Sequence, residues 1–314
     1  MTNGAISRRE LLRLAGVGGG ALGLGALLAA CGGDEPDGGS GSAPAGSMKA
    51  LLADATQLSL LGAQSQLPVG AVLYTFGLAT PDNRLVAGGS PQVWVARDDT
   101  GRAAGPFPTR WFELGAYQKT GDRSPRSPLT GFYGAQLELP EAGNWIMAAA
   151  IDLDGGRAVG QGAVSVAATV PAAVGSKAKP RATPVATTAA GRKKICTRDP
   201  ACPLHEISLD DALRAGRPTV VNFGTPLLCT SQICGPVVDE QMVVADKLGG
   251  KASFVHIEIY PSRSPAKPVR ALTDYGFNTE PWLLVVDRDG IIRARFEGPV
   301  TAAQMEEALR PLLA

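Results

Sequence analysis

Two stretches that cannot bury apolar surface, residues 32–47 and 171–194, most constrain what this chain can fold into. The first is nearly all Gly, Ser, Asp, Pro and Ala, and the second mixes Ala, Thr and Pro with six basic residues and no acid. Such compositions stay solvated, so the apolar residues between and after them are expected to form separate cores. With 314 residues, 45% of them hydrophobic, two ordinary domains are expected. The division read from the sequence is a leader at 1–31, a tether at 32–49, an all-β domain at 50–170, a linker at 171–195 and an α/β domain at 196–314. Lys plus Arg (30) nearly balance Asp plus Glu (29). That balance speaks against a nucleic-acid-binding surface, and no nucleic-acid partner is expected.

Between the two stretches, short apolar or alternating runs at 71–76, 92–96, 134–139, 144–151 and 161–166 are broken by turn signals. This period-two rhythm predicts an all-β, immunoglobulin-like sandwich with Trp94 and Trp145 in its core. Asp154-Gly155-Gly156 predicts a tight hairpin, and Pro140-Glu141-Ala142-Gly143 another turn. Residues 106–130, rich in Pro, Arg and Gly, are expected as a long surface loop presenting Trp111, Phe112 and Tyr117. Asp152 and Asp154 read as hairpin-turn residues.

From Ile207 onward strand and helix signals alternate. Ser208 is expected to cap a helix at 209–214 that Gly216 ends. Strands are predicted at 218–224, 252–260, 282–287 and 291–296. Helices are predicted at about 231–248 and 269–275, with a last one from Thr301, whose capping box uses Gln304. The chemistry sits at the first strand-to-helix junction, Phe223-Gly-Thr-Pro-Leu-Leu-Cys229-Thr-Ser-Gln-Ile-Cys234. The N–H groups and dipole of a helix start stabilise a sulfur anion, and the thiolate is the attacking form of cysteine. Cys229 is therefore the expected nucleophile. Two residues five apart on a continuous helix have Cα atoms about 8.6 Å apart, beyond the roughly 7 Å limit for bridging. A Cys229–Cys234 disulfide thus requires Cys229 to precede the helix, or its first turn to unwind.

This order of elements over about 204–314, with Cys229 at the junction and Glu280-Pro281-Trp282 leading a strand, resembles the thioredoxin superfamily. The resemblance implies a thioredoxin-like mixed sheet with covering helices and a cis Pro281 facing the active thiol. It gives Cys229, Cys234 and Pro281 catalytic roles, and Glu280, Trp282 and Thr225 substrate-binding ones. The spacing Cys229-Thr230-Ser-Gln-Ile-Cys234-Gly235 also resembles peroxiredoxins of the bacterioferritin-comigratory (Q) type, in which the second cysteine resolves the first. That family's hydroxyl three residues ahead of the cysteine has no match, since Thr225 stands four before Cys229, and its arginine is missing from Asn278-Thr279-Glu280-Pro281. Three readings stay open: a thiol–disulfide oxidoreductase, a Q-type thiol peroxidase, and a non-catalytic binding module with a structural Cys229–Cys234 bridge. A protein or small-molecule disulfide or thiol is the expected substrate, with no cofactor.

Cys196 and Cys202 are expected to close a small loop as a structural disulfide. No metal is expected, because neither the cysteine spacing nor the histidine supply of His205 and His256 matches a four-ligand zinc site. Finally, Ser7-Arg8-Arg9-Glu10-Leu11-Leu12-Arg13 and the charge-free run 14–30 read as an export signal. The arginine pair Arg8 and Arg9 resembles a twin-arginine signal, and Leu28-Ala29-Ala30-Cys31-Gly32 resembles a bacterial lipobox. These resemblances imply an exported protein, lipid-anchored through Cys31 on the extracytoplasmic face of the cell membrane, where disulfides persist.

Overall fold

The computed structural model describes residues 44–115, 129–260 and 267–313; Arg8, Arg9, Cys31 and Tyr117 lie outside them. Helix α1 (Met48–Leu52) is capped by the Ser47 hydroxyl, which accepts from the Ala50 N–H at 3.2 Å. Nine strands follow: β1 (Thr56–Gly62), β2 (Gln66–Pro68), β3 (Gly70–Ala79), β4 (Leu85–Val86), β5 (Gln92–Ala96), β6 (Ala104–Glu113), β7 (Gly131–Leu139), β8 (Gly143–Leu153) and β9 (Gly156–Ala167). The β8–β9 hairpin turns through Asp154 and Gly155, both in the left-handed region (φ 52° and 80°), as a two-residue primed turn demands.

The all-β expectation holds, but the sandwich does not. The hydrogen-bonded order β1-β3-β7-β6-β5-β8-β9 returns to β1, which pairs antiparallel with β3 and parallel with β9, so that among the described residues seven strands close a barrel. Two glycines on β9 permit this closure. A Cβ at Gly160 would lie 2.7 Å from a Leu78 methyl and 3.2 Å from the Leu60 Cβ, and one at Gly162 would lie 3.0 Å from a Leu60 methyl. Without side chains at these positions, β1 can lie close against β9. Tyr74, Phe76, Tyr133, Leu137, Trp145 and Met147 fill the interior. Trp94, expected in the core, alternates outward between Val93 and Val95 and packs with Met48 and α1 on the other face of the sheet.

The expected loop at 106–130 is a strand as far as Glu113, its signal hidden by Pro106 and Pro108. Trp111 makes an edge contact with Tyr133 (centroids 4.8 Å apart) and Phe112 stacks on Phe132 (5.2 Å), so both rings are engaged with β7.

The C-terminal half contains α2 (Ala189–Ile195), α3 (Leu209–Arg214), β10 (Thr219–Phe223), α4 (Cys234–Leu248), β11 (Ser253–Ile257), α5 (Arg270–Asp274), β12 (Trp282–Val286), β13 (Ile292–Glu297) and α6 (Ala302–Leu309). Its sheet order is β11-β10-β12-β13, with β10 parallel to β11 and both other pairings antiparallel. This is the thioredoxin topology. Every residue of β10 and β12 is buried, which explains why both read as continuous apolar runs. Val221, Phe223 and Leu284 face one core with Leu209 and Leu272, while Val220, Leu283 and Val285 face the other with Val237, Met305 and Leu309. The predicted caps form: Ser208 accepts from the Asp211 N–H, and Thr301 and Gln304 make a reciprocal capping box.

Residues 171–195, expected as a solvated linker, lie against this domain. Gly175 N–H donates to Ile292 O (2.8 Å), Ile292 N–H donates to Ser176 O (2.9 Å), and Lys179 N–H donates to the Tyr275 hydroxyl (2.8 Å). Ala178 is buried. Small side chains let this segment lie flat and bond through its backbone. The two halves meet at Glu297, whose buried carboxylate accepts from the Ser65 N–H (2.9 Å), the Ser65 hydroxyl (2.6 Å) and the Thr279 hydroxyl (2.7 Å). Replacing Glu297→Ala removes a charged acceptor and strands a barrel N–H at this contact, so the urea midpoint is expected to fall by the equivalent of about 3 kcal/mol. An unchanged midpoint would show that the halves do not depend on this carboxylate.

Candidate active site

The site forms where β10 ends. Gly224 N–H donates to Ile257 O at 3.1 Å, and a Cβ on Gly224 would stand only 3.3 Å from the Cys234 Cβ and 3.5 Å from the Pro281 Cβ. This residue therefore lets the strand end press against both Cys234 and Pro281. The chain then turns: the N–H groups of Leu228 and Cys229 both donate to Thr225 O, at 3.1 and 3.0 Å, and Gln232 adopts a left-handed φ of 59°. Helix α4 starts at Cys234, three residues later than predicted. Cys229 consequently precedes the helix, and its Cα lies 6.1 Å from that of Cys234, to which it is joined by a disulfide.

The later helix start changes how the helix acts on Cys229. Ile233 occupies the N-cap position and offers no side-chain acceptor. Instead the Cys234 N–H points at the Cys229 sulfur across 3.3 Å. The Cys229 sulfur thus stands where a capping oxygen would, facing the positive end of a 15-residue helix. The Ser231 hydroxyl lies 3.2 Å from the same sulfur. Cys229 is 8% exposed and flanked by exposed Thr230 and Ser231, whereas Cys234 is fully buried.

The Glu280–Pro281 bond is cis, as the resemblance implied. The Glu280 side chain turns inward: its carboxylate accepts from the Thr225 N–H at 2.8 Å and lies 3.5 Å from the Cys234 sulfur. Burial raises its pKa above the ordinary carboxylate value, partly offset by the Thr225 hydrogen bond. A carboxyl group so placed can exchange a proton with Cys234.

Two residues expected to bind substrate have buried side chains. Thr225 is fully buried, and its hydroxyl accepts from the Ile259 N–H at 3.0 Å. Trp282 is 1% exposed, stacked on Phe277 with centroids 4.1 Å apart, and donates from Nε1 to Thr279 at 3.0 Å. Both side chains are engaged inside the fold. The reason is local: each belongs to or adjoins a central strand buried on both faces.

The expected Cys196–Cys202 disulfide is also absent, the two sulfurs lying 3.7 Å apart. The intervening residues are anchored elsewhere. Thr197 donates from N–H and hydroxyl to Glu258 at 2.6 and 2.8 Å, and Arg198 pairs with Asp239 of α4 at 2.6 Å in a buried ion pair. So held, the sulfurs face His256 of β11, whose Nδ1 lies 3.2 Å from Cys202 Sγ and 4.0 Å from Cys196 Sγ. His205 joins them, with its ring centroid 4.8 Å from that of His256. Hydrogen bonding to Cys202 holds the Cys196 thiol well below its ordinary pKa, against burial, and the two imidazoles reinforce it. Sequence spacing missed this group because β11, which carries His256, is brought alongside β10 only by the parallel crossover.

No family model matches the chain, and no curated protein matches it. Among solved structures, it is similar to a thiol:disulfide interchange protein of the thioredoxin family from Chlorobium tepidum TLS, over 44% of this chain and 100% of that one, at 18% identity and a TM-score of 0.28. It is similar to a putative thiol:disulfide interchange protein DsbE from Chlorobium tepidum over 45% of this chain and 99% of that one, at 16% identity and a TM-score of 0.32. A thiol-disulfide isomerase from Corynebacterium glutamicum is similar over 35% of this chain and 88% of its own, at 20% identity and a TM-score of 0.25. Likenesses this distant leave the reading of this chain to its own residues.

The exposure difference between the bridged cysteines has a direct chemical consequence. When the reduced protein is treated briefly with iodoacetamide and mapped by peptide mass, Cys229 is expected to be alkylated before Cys234, Cys196 and Cys202. Equal labelling of Cys229 and Cys234 would remove the assignment of Cys229 as the reachable thiol.

Proposed function

We propose that this chain is a thiol–disulfide oxidoreductase, exported and anchored by lipid at Cys31, with Cys229 as nucleophile and Cys234 as resolving thiol. The observation that carries the reading is the Cys234 N–H aimed at the Cys229 sulfur within a bridged pair at the mouth of the fold. In the reduced protein the Cys229 thiolate attacks one sulfur of a substrate disulfide. That S–S bond breaks, the departing thiolate takes a proton, and a mixed disulfide forms. Cys234 then yields its proton to the Glu280 carboxylate and attacks the Cys229 sulfur. The second substrate thiol leaves, and two electrons have passed from the cysteine pair to the substrate. A dithiol donor restores the pair by the reverse sequence.

A cavity of about 390 Å³ beside the loop supports a polypeptide disulfide as substrate: the exposed Leu61, Asn83 and Leu85 on the barrel side line it together with Thr230, Gln232 and Ile233 of the loop. The barrel thereby acquires a role as one wall of a docking groove. Peroxide reduction has less support on the same geometry, since the Thr225 hydroxyl is committed to Ile259. Export and anchoring rest on the Arg8-Arg9 and Cys31 motifs. Among the described residues no helix is long and apolar enough to cross a membrane. Metabolic labelling with a radioactive fatty acid is expected to mark the wild type and not Cys31→Ser.

Insulin-disulfide reduction and hydrogen-peroxide consumption, each measured with wild type, Cys229→Ser and Cys234→Ser, test the reading. Reductase activity lost in both variants is expected. Peroxide turnover lost chiefly in Cys229→Ser would favour the peroxidase, and inactivity of the wild type in both assays would leave a binding module with a structural bridge. Glu280 gives a pH signature. Because burial raises its pKa, the proton-accepting carboxylate accumulates only above the ordinary carboxylate range, and resolution of the mixed disulfide should quicken as pH rises through the raised value. Glu280→Gln is expected to slow that step on the order of 10²-fold and to abolish this limb of the profile. An unaltered limb would remove Glu280 from the mechanism.

A further inference from the structure

The redox reading leaves unused four buried side chains that meet behind the cysteine loop: Cys196, Cys202, His205 and His256, whose potential donor atoms all lie within 4.8 Å of one another. We propose that these four residues form a structural Zn²⁺ site. The proposal does not rest on the redox reading and involves neither Cys229 nor Cys234.

Distances carry the argument first. A tetrahedral ion with Zn–S bonds near 2.3 Å separates two sulfurs by about 3.8 Å, and with Zn–N bonds near 2.0–2.1 Å separates sulfur from nitrogen by about 3.6 Å. The two sulfurs here are 3.7 Å apart, and the His256 Nδ1 lies 3.2 and 4.0 Å from them. Ring orientation supplies the second argument. The His256 Nε2 lies 3.0 Å from the Gly224 carbonyl, to which it donates, and this leaves the Nδ1 lone pair directed at the sulfurs. An imidazole fixed by a carbonyl on its far nitrogen is the usual outer shell of a histidine ligand.

His205 adds a third, independent observation. It is 2% exposed, yet its Nε2 has no hydrogen-bond partner among the described residues. A buried polar nitrogen is costly unless something satisfies it. Two thiolates would cancel the charge of a divalent ion, and two sulfurs with two imidazoles are a tetrahedral donor set suited to Zn²⁺. With four protein donors no position is left for a substrate, so the role is structural. Binding releases the protons of any thiol still protonated and ties the segment 196–205 to β11. Through the Gly224 carbonyl it also braces the end of β10, one side of which packs on Cys234.

The test uses the full chain, reduced and stripped with chelator, and titrated with Co²⁺ alone and then with Zn²⁺. One equivalent of Co²⁺ is expected to give a thiolate charge-transfer band and the intense visible bands of a tetrahedral ion, which Zn²⁺ then bleaches. The double variant Cys229→Ser/Cys234→Ser is expected to give the same spectrum. Cys202→Ser and His256→Asn are expected to lose it, with far-UV circular dichroism checking that they fold. Should those two variants fail to fold, the wild type and the double variant decide the matter alone. Their spectra must report two thiolates when Cys229 and Cys234 are gone. The site is overturned if the reduced wild type binds no stoichiometric ion, if the spectrum vanishes in the double variant, or if it persists in folded Cys202→Ser. A Cys196–Cys202 disulfide that, once reduced, yields thiols unable to take up the ion overturns it equally.

Discussion

The peptide N–H of Cys234, directed at the Cys229 sulfur across 3.3 Å, is the contact around which the C-terminal half is arranged. For that N–H to be available, the helix must begin with no side-chain cap, and Ile233 ensures this. For the sulfur to reach it, the chain must leave β10 and fold back within a few residues, which the paired bonds onto Thr225 O accomplish. Thr225 can hold that position because its own N–H is taken by Glu280 and its hydroxyl by Ile259. The bridged pair is therefore suspended from the ends of three neighbouring chain segments.

Two cysteine pairs lie close together in this fold, and their surroundings send them in different directions. Cys229 and Cys234 have a helix terminus, a carboxyl group and, at Cys229 alone, 8% exposure to solvent. Cys196 and Cys202 have two imidazoles, a carbonyl behind one of them, and no access to solvent beyond 1%. The first environment favours a sulfur that exchanges partners, and the second one that keeps them. Gly224 stands between the two, with its carbonyl on one side and the strand end it terminates on the other.

What could be read in the sequence was what depends on near neighbours. The left-handed pair Asp154-Gly155, the Ser208 cap, the Thr301–Gln304 box and the apolar runs of β10 and β12 each declare themselves within a few residues. So does the spacing argument that a Cys229–Cys234 bridge requires Cys229 to precede the helix or its first turn to unwind. What escaped is made by residues far apart in the chain. Barrel closure depends on Leu60 and Leu78 meeting two bare positions on β9. The company kept by His256 depends on the crossover to β11, and the inward turn of Glu280 depends on an N–H 55 residues away. Strand β6 is hard to read for another reason: its two prolines outweigh the alternation around them.

The segment at 175–178 has one more consequence. By exchanging main-chain bonds with Ile292, through the Gly175 N–H and the Ser176 carbonyl, it occupies the outer flank of β13, where an open row of donors and acceptors would otherwise begin. An unpaired strand flank is a template on which another chain can nucleate. A stretch whose composition suggests a mere spacer therefore also guards the sheet against self-association.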